Sequence, residues 1–235
     1  LRRRFFVERF GQNSAAMTGD AAHHLGRVLR AEPGQLYELS DGKVAWLARI
    51  ELVQKERVEF VLVEPIASRE FPLETTLLLS LVKFDSFEWA LEKATELGVS
   101  TIVPLAAARS EKALLHAAEK RSARWKKILL EASQQSRRVR IPELAAAEKP
   151  VKAFAQQADC KVIFSEKAEA QALRAVLPVK AESAILAIGP EGGWTDEELS
   201  SAEAAGFCQV SLGGLILRTE TAVISALANL NYALG

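Results

Sequence analysis

Two regions of the chain carry different periodicities. From residue 1 to about 70, apolar residues come in short β-prone runs at Phe5-Phe6-Val7, Leu36-Tyr37-Glu38-Leu39, Val44 to Ile50 and Val58 to Val63. Runs of this length predict strands, and Pro33-Gly34 marks a turn ahead of the second. Ser40-Asp41-Gly42-Lys43 reads as a hairpin turn, since an Asp-Gly pair tolerates positive φ. Only Asp20 to Arg30 has helical spacing, with Asp20 as the expected N-cap and Leu25, Val28 and Leu29 on one face. These features predict a small β-barrel with one helix over residues 1–70. Pro65 to Pro72 reads as the linker.

From Leu73 to the end the pattern alternates between strand and helix. Strands are expected at Leu77–Val82, Thr101–Leu105, Lys161–Phe164, Ala184–Ile188 and Phe207–Ser211. Asp85 to Leu97 is amphipathic, with Phe87, Ala90, Leu91, Ala94 and Leu97 on one stripe and Gly98 in the C′ position. Further helices are expected at Glu119–Ser136, at Thr195–Ala205 and at Thr219–Leu234. Thr195 with Glu198 forms a capping box, and Asp196 and Glu197 suit the positive end of that helix. Strands separated by helices of this length predict a mainly parallel α/β sheet over residues 73–235.

Composition narrows the class. The 235 residues are 49% hydrophobic and 26% charged, as in a folded globular protein. The longest apolar runs are too short to cross a bilayer, so no membrane association is expected. Arg2, Arg3 and Arg4 precede no apolar stretch of signal-peptide length, and Leu1 is not an initiator methionine, so a true start upstream and a cytoplasmic location are expected. Cys160 and Cys208 have no His or Cys at metal spacing; two buried, reduced thiols and no metal are expected. Net charge is zero, but Lys120, Arg121, Arg124, Lys126, Lys127, Arg137, Arg138 and Arg140 cluster around a single acid, Glu131. Such local patches fit either docking on a polyanion or solvated helix faces.

Two loops stand at the carboxyl ends of expected strands, where open α/β sheets bind ligands. Gly189-Pro190-Glu191-Gly192-Gly193-Trp194 bares its backbone but lacks the lysine of a P-loop and the spacing of a dinucleotide turn. It is either a ligand loop or a tight structural turn. In the second loop, Leu212-Gly213-Gly214-Leu215-Ile216-Leu217 leads into Arg218-Thr219-Glu220-Thr221-Ala222. Arg218 begins a helix, against the dipole preference, which points to a contact outside the helix. Alternatively Thr219 or Thr221 simply caps it.

These residues resemble the ribosomal RNA small subunit methyltransferase E family. Gly189 to Gly193 and the Leu212 to Ala222 segment carry the likeness, with His24-Leu25-x-x-Val28-Leu29-Arg30, Lys93 to Val99, and Glu131-Ala132-x-x-Gln135-Ser136-x-Arg138 followed by Ile141-Pro142. Where the family usually has Pro-Arg, this chain has Gly214-Leu215, which removes a positive charge beside the loop. The resemblance implies a PUA-like barrel followed by a SPOUT domain with a trefoil knot. It also implies a homodimer, and methylation by S-adenosyl-L-methionine of uracil N3 in the decoding region of 16S ribosomal RNA, either naked or in the assembled small subunit. On it, Leu81, Gly189, Pro190, Glu191, Gly192, Gly193, Leu212, Gly213, Ile216, Leu217, Arg218 and Thr221 are the expected cofactor residues, with Phe164-Ser165-Glu166 as further candidates. Glu220 is the expected base and Arg218 the anion stabiliser, unless Glu220 merely pairs with Arg218. Arg2, Arg3, Arg4, His24, Arg27, Arg30, Arg137, Arg138 and Arg140 are the expected RNA contacts. Trp194 is the tryptophan expected to face a ligand, while Trp46, Trp89 and Trp125 are expected in the core. The alternatives are an RNA-binding protein of the same fold without transfer, and a SPOUT enzyme for another nucleotide.

Overall fold

The computed structural model describes residues 4–67, 72–167 and 170–234, so Arg2 and Arg3 lie outside the described residues. The chain divides into two units, Leu1–Glu70 with Ser133–Ile141, and Phe71–Ala132 with Pro142–Gly235.

The first unit is built on β1 (Arg4–Phe6), β2 (Ser14–Thr18), α1 (Gly19–His23), β3 (Leu36–Ser40), β4 (Ala45–Val53) and β5 (Arg57–Ile66). Its sheet runs β1-β3-β4-β5-β2, antiparallel except for the β1–β3 pair. Phe5, Leu25, Leu39, Ile50, Val58 and Phe60 fill its core. The expected hairpin is present: Asp41 Oδ1 accepts from the amides of Lys43 and Val44 at 2.9 and 3.0 Å. The helix differs from expectation. Thr18, not Asp20, is the N-cap, and α1 passes into a π-helical turn at His24–Val28. The wider turn changes the angular period, so Leu25 is buried while Val28 and Leu29 are exposed. Pro65 and Ile66 belong to β5 rather than to a linker.

Ser133–Ile141 joins this unit through a buried charge cluster. The Arg4 guanidinium, only 4% exposed, meets Glu38 at 3.0 Å and donates to the Arg137 carbonyl at 2.6 Å. Arg137 also approaches Glu38 at 3.5 Å and holds φ +59, unusual for a residue with a side chain. The Ser40 hydroxyl donates to the Val139 carbonyl at 2.6 Å. Arg4 and Arg138, expected at an RNA-facing surface, are therefore buried.

The second unit holds β6 (Glu74–Ser80), α2 (Phe84–Glu96), β7 (Thr101–Leu105), β8 (Glu143–Leu144), α4 (Pro150–Phe154), β9 (Cys160–Phe164), β10 (Gln171–Ala172), α5 (Leu173–Val176), β11 (Ser183–Ile188), α6 (Asp196–Ala204), β12 (Cys208–Ser211) and α7 (Thr219–Leu234). The long helix α3 (Lys112–Ser136) starts seven residues before the expected Glu119, and its last turn groups with the first unit. The sheet order is β10-β12-β9-β11-β6-β7-β8, and every pair in it is parallel. Period-two alternation splits the apolar strands between two cores. Leu77, Leu79, Val162, Phe164, Leu186 and Ile188 join the core that includes Phe87, Leu91 and Leu227 of α2 and α7. Leu78, Ile163, Ile185 and Ala187 join the one that includes Phe154 and Leu199 of α4 and α6. Both faces are covered, which is why these strands read as unbroken apolar runs. Each fully buried leucine contributes about 1.5–3 kcal/mol.

Helix ends follow their local signals. After α2, Gly98 at φ +91 donates to the Thr95 carbonyl at 3.1 Å and Val99 to that of Ala94 at 3.1 Å, the two bonds of a Schellman end. Lys161 of β9 is buried and donates to the carbonyls of Phe154, Gln156 and Ala205 at 3.1, 2.7 and 2.6 Å, where α4 and α6 finish. Burial pushes its pKa down, while the negative helix ends offset that cost. Cys160 is buried as expected, but Cys208 is exposed. Trp125 is a core residue, whereas Trp89 is exposed on α2.

Glu88 of α2 binds α3, accepting from Arg124 at 2.8 Å and from Arg121 at 3.0 Å. The Arg124 hydrogen bond, aided by Arg121, holds its carboxyl below the usual range against the opposing effect of burial. A lowered folded-state pKa contributes stability above the unfolded value of about 4.3 and loses it as pH falls through the folded value. Glu88→Gln is expected to cost about 1 kcal/mol at neutral pH. Thermal melts of the two proteins should converge in acid below the ordinary carboxylate range.

Candidate functional site

Parallel strands all leave a sheet at the same edge, so the loops after β12, β9, β11 and β6 emerge side by side. The register sets how closely: Ile188 stands opposite Leu79, Ala187 opposite Ile163, and Val210 opposite Phe164. This edge gathers Leu81 to Lys83, Ser165 to Lys167, Gly189 to Trp194 and Leu212 to Arg218. It brings together the sequence-predicted residues Leu81, Ser165, Glu166, Gly189, Pro190, Glu191, Gly192, Gly193, Leu212, Gly213, Ile216, Leu217 and Arg218.

The first glycine loop is held rigidly from below. Trp194 is buried, donates from Nε1 to the Phe164 carbonyl at 3.0 Å, and packs edge-on against Phe154 at 5.9 Å. It braces the loop instead of facing a ligand. A Cβ at Gly189 would lie 3.0 Å from the indole, so the close approach excludes any side chain there. The Gly193 amide donates to the Pro190 carbonyl at 2.8 Å, closing the turn. Pro190 is buried and Glu191 exposed.

A neighbouring segment, not anticipated from the sequence, clamps this loop. Arg109, just beyond β7, donates from Nη1 to the Gly192 carbonyl at 2.7 Å. Its stem lies 3.3 Å from where a Gly192 Cβ would be, so glycine makes room for the arginine. Buried Glu198 accepts from the amides of Ala108 and Thr195 at 2.8 and 2.9 Å, so one carboxylate ties the β7 loop to the capped start of α6. Lys167 pairs with Asp196 and holds its carboxyl below the usual range. The signal for Arg109 was its place after a third strand at the same sheet edge.

The second loop has a different texture. Leu215 and Ile216 are 83% and 81% exposed, while Leu212 is partly buried against the core. Arg218 and Thr221 are exposed, and the Arg218 carbonyl accepts from Ala222 at 2.8 Å in the first turn of α7. The side chain of Glu220, a residue 7% exposed, makes no hydrogen bond or ion pair with any described residue, and so does not pair with Arg218. A carboxylate without a protein partner beside an open loop is a candidate to accept a proton from a ligand.

In the first unit, His24, Arg27 and Arg30 are exposed together on and after the π-helical turn. Arg140 is exposed as well, whereas Arg137 is shared with Glu38. Among the described residues no cluster of His, Cys, Asp and Glu fits a metal ion, and no helix is long and apolar enough to cross a membrane.

Comparison with known proteins identifies the family. Residues 69–231 match an RNA methyltransferase domain and residues 17–63 an RNA methyltransferase PUA domain. The Bacillus subtilis ribosomal RNA small subunit methyltransferase E is 32% identical over 97% of this chain and 96% of its own. That of Synechocystis is 34% identical over 97% of this chain and 76% of its own. The crystal structure of the Neisseria gonorrhoeae enzyme bound to S-adenosyl methionine superposes with a TM-score of 0.91, at 32% identity, covering 100% of this chain and 99% of that one. A curled N-terminal sheet, a parallel seven-stranded sheet and two glycine loops on one edge thus coincide with end-to-end similarity: the chain belongs to the ribosomal RNA small subunit methyltransferase E family.

Proposed function

We propose that this protein methylates N3 of a uracil in the decoding region of 16S ribosomal RNA, with the glycine-loop edge as its active site. The coarser activity, methylation of ribosomal RNA with S-adenosyl-L-methionine, goes with family membership. The residues present fit that cofactor. Bare backbone at Gly213 and Gly214 can take hydrogen bonds close in, the Gly189–Gly193 loop is held in place by Trp194 and Arg109, and Leu212, Ile216 and Leu217 offer apolar cover for an adenine. The cofactor supplies an electrophilic methyl group on a sulfonium.

The chain's own task is alignment and proton removal. Uracil N3 carries a proton and is a poor nucleophile until that proton leaves. The observation that carries the assignment is Glu220, a mostly buried residue whose carboxylate has no partner among the described residues, two positions after Arg218. Glu220 takes the N3 proton, and exposed Arg218 two residues earlier stabilises the uracil anion or holds a phosphate. Exposed His24, Arg27, Arg30 and Arg140 contact RNA. The exposed apolar residues Trp89, Leu215, Ile216 and Tyr232 support a homodimer, which the resemblance also implies. On this reading the second unit carries a trefoil knot and the enzyme works in the cytoplasm.

Calorimetric titration is expected to show S-adenosylmethionine and S-adenosylhomocysteine binding at a fixed stoichiometry per subunit, with ATP and NAD silent; no binding of the first two would point to an RNA-binding protein without transfer. Glu220→Gln should lower methyl transfer about 10²–10⁴-fold with cofactor affinity little changed, and full activity in that variant would remove Glu220 as the base. Arg109→Ala, which unclamps Gly192, should weaken cofactor binding about tenfold, or roughly 1.4 kcal/mol. Unaltered calorimetric affinity would show that the clamp does not shape the site.

A further inference from the structure

The exposed face of α3 carries a line of basic residues that the active site does not use. Lys112, His116, Lys120, Arg124 and Lys127 follow one another at spacings of four, four, four and three residues, and all are exposed. At 3.6 residues per turn they fall within an arc of about 120°, and at 1.5 Å per residue the line is about 22 Å long. Ala118, Trp125 and Leu129 occupy the opposite side of the helix and are buried in the core of the second unit. The stripe is thus held facing solvent by the packing behind it. Lys126 and the acid Glu119 lie at its margin, and the acid Glu131 continues the face one turn beyond Lys127.

This face is not arranged as a self-compensating solvated surface. Such a helix places an acid four residues from each base. Here the residue four positions after Lys120 is Arg124, a like charge, and the residue four positions before it is His116, so no acid stands at that spacing. Arg121 and Arg124 share the single carboxylate of Glu88, which leaves one positive charge over. Lys127 meets Glu131 at 3.8 Å, both well exposed, a contact that a phosphate can readily displace. The whole chain is neutral, with 30 basic and 30 acidic residues, so the stripe is a local concentration of charge rather than part of a general excess.

We propose that the Lys112–Lys127 face of α3 is an RNA-docking surface that grips the phosphate backbone of the ribosomal RNA substrate. No exposed aromatic residue interrupts the line, so it offers charge without base stacking, and its contribution is independent of sequence. The surface rests on the ribosomal-RNA reading above and adds to it a phosphate-binding site on the methyltransferase unit itself. Its role is to hold the substrate in place, while the chemistry stays with the glycine-loop edge.

The test uses the full chain with Lys112, Lys120 and Lys127 all changed to Gln. Binding of a labelled small-subunit ribosomal RNA fragment is followed by fluorescence anisotropy over a range of salt, beside methyl transfer from radiolabelled S-adenosylmethionine. The variant is expected to bind RNA at least about tenfold more weakly, with the slope of log affinity against log salt reduced by about 2–3. Its KM for RNA should rise while kcat and cofactor affinity hold, which also reports an intact fold. A salt slope equal to that of the unaltered protein would overturn the proposal and leave the stripe to a protein partner or to solvent. If the unaltered protein binds RNA through the stripe but transfers no methyl group, the catalytic reading fails and the docking surface stands. If the unaltered protein binds no RNA at all, the docking surface is overturned.

Discussion

The pairing of β11 with β6 on one side and β9 on the other determines where the rest of the second unit can go. Because these strands run in the same direction, each must send its chain out at the same edge and bring it back through a helix on one face or the other. The helices then cover both faces, and alternate side chains of Leu77–Leu79 and Ala184–Ile188 are divided between two cores. The edge that gathers the glycine loops is a by-product of that directionality. Four loops arrive there together, and none needs regular structure of its own to be placed accurately.

Placement alone leaves loops mobile, and here the first glycine loop and the β7 loop are tied by bonds from their neighbours. Trp194 hooks the glycine loop to the end of β9, Arg109 holds it from the β7 side, and Glu198 joins the β7 loop to α6. The loop is therefore constrained from two directions, which favours ordered amides over an adaptable surface. The second loop is held differently. Gly213 and Gly214 have open space around them, and Leu215 and Ile216 project outward. The adjacent Gly213 and Gly214 give this segment backbone freedom that the first loop, filled by Trp194 and Arg109, lacks. One side of the site is rigid by internal bonding, and the other is left to be ordered by what binds it.

Much of this was legible in the sequence wherever a local rule decides the outcome. The capping box of Thr195 and Glu198, the Gly98 helix end, the Asp41-Gly42 hairpin and the strand–helix alternation appear as expected because each depends on near neighbours. What escaped depends on distant ones. The two-residue strands β8 and β10 exist only because a longer strand lies beside them. Trp194, next to a glycine loop, suggested a ligand platform; burial under that loop could be known only from Phe154 and Phe164. The π-helical turn shifted Val28 and Leu29 to the surface although their spacing was helical. Arg109 was hidden among many arginines until the loop after β7 was seen to share an edge with Gly192. Glu220 and the glycine loops could be singled out from the sequence, but that the Glu220 side chain has no partner among the described residues is a property of the fold.

The cluster of Arg4, Glu38 and Arg137 bears on how the protein can be taken apart. Ser133–Ile141 lies more than sixty residues beyond the rest of the first unit in the chain, yet belongs with it, so the chain passes between the units three times. A fragment ending near residue 70 would leave Glu38 with one arginine instead of two and the Ser40 hydroxyl without the Val139 carbonyl. It would also uncover Arg4, a guanidinium that is now buried. The fragment would lose the bonds that cross from Ser133–Ile141 and the cover over the Arg4–Glu38 pair. The PUA-like unit is therefore not a cassette that can be excised or grafted at its apparent boundary. A working graft has to carry the borrowed segment too, whether by circular permutation or as a peptide supplied in trans.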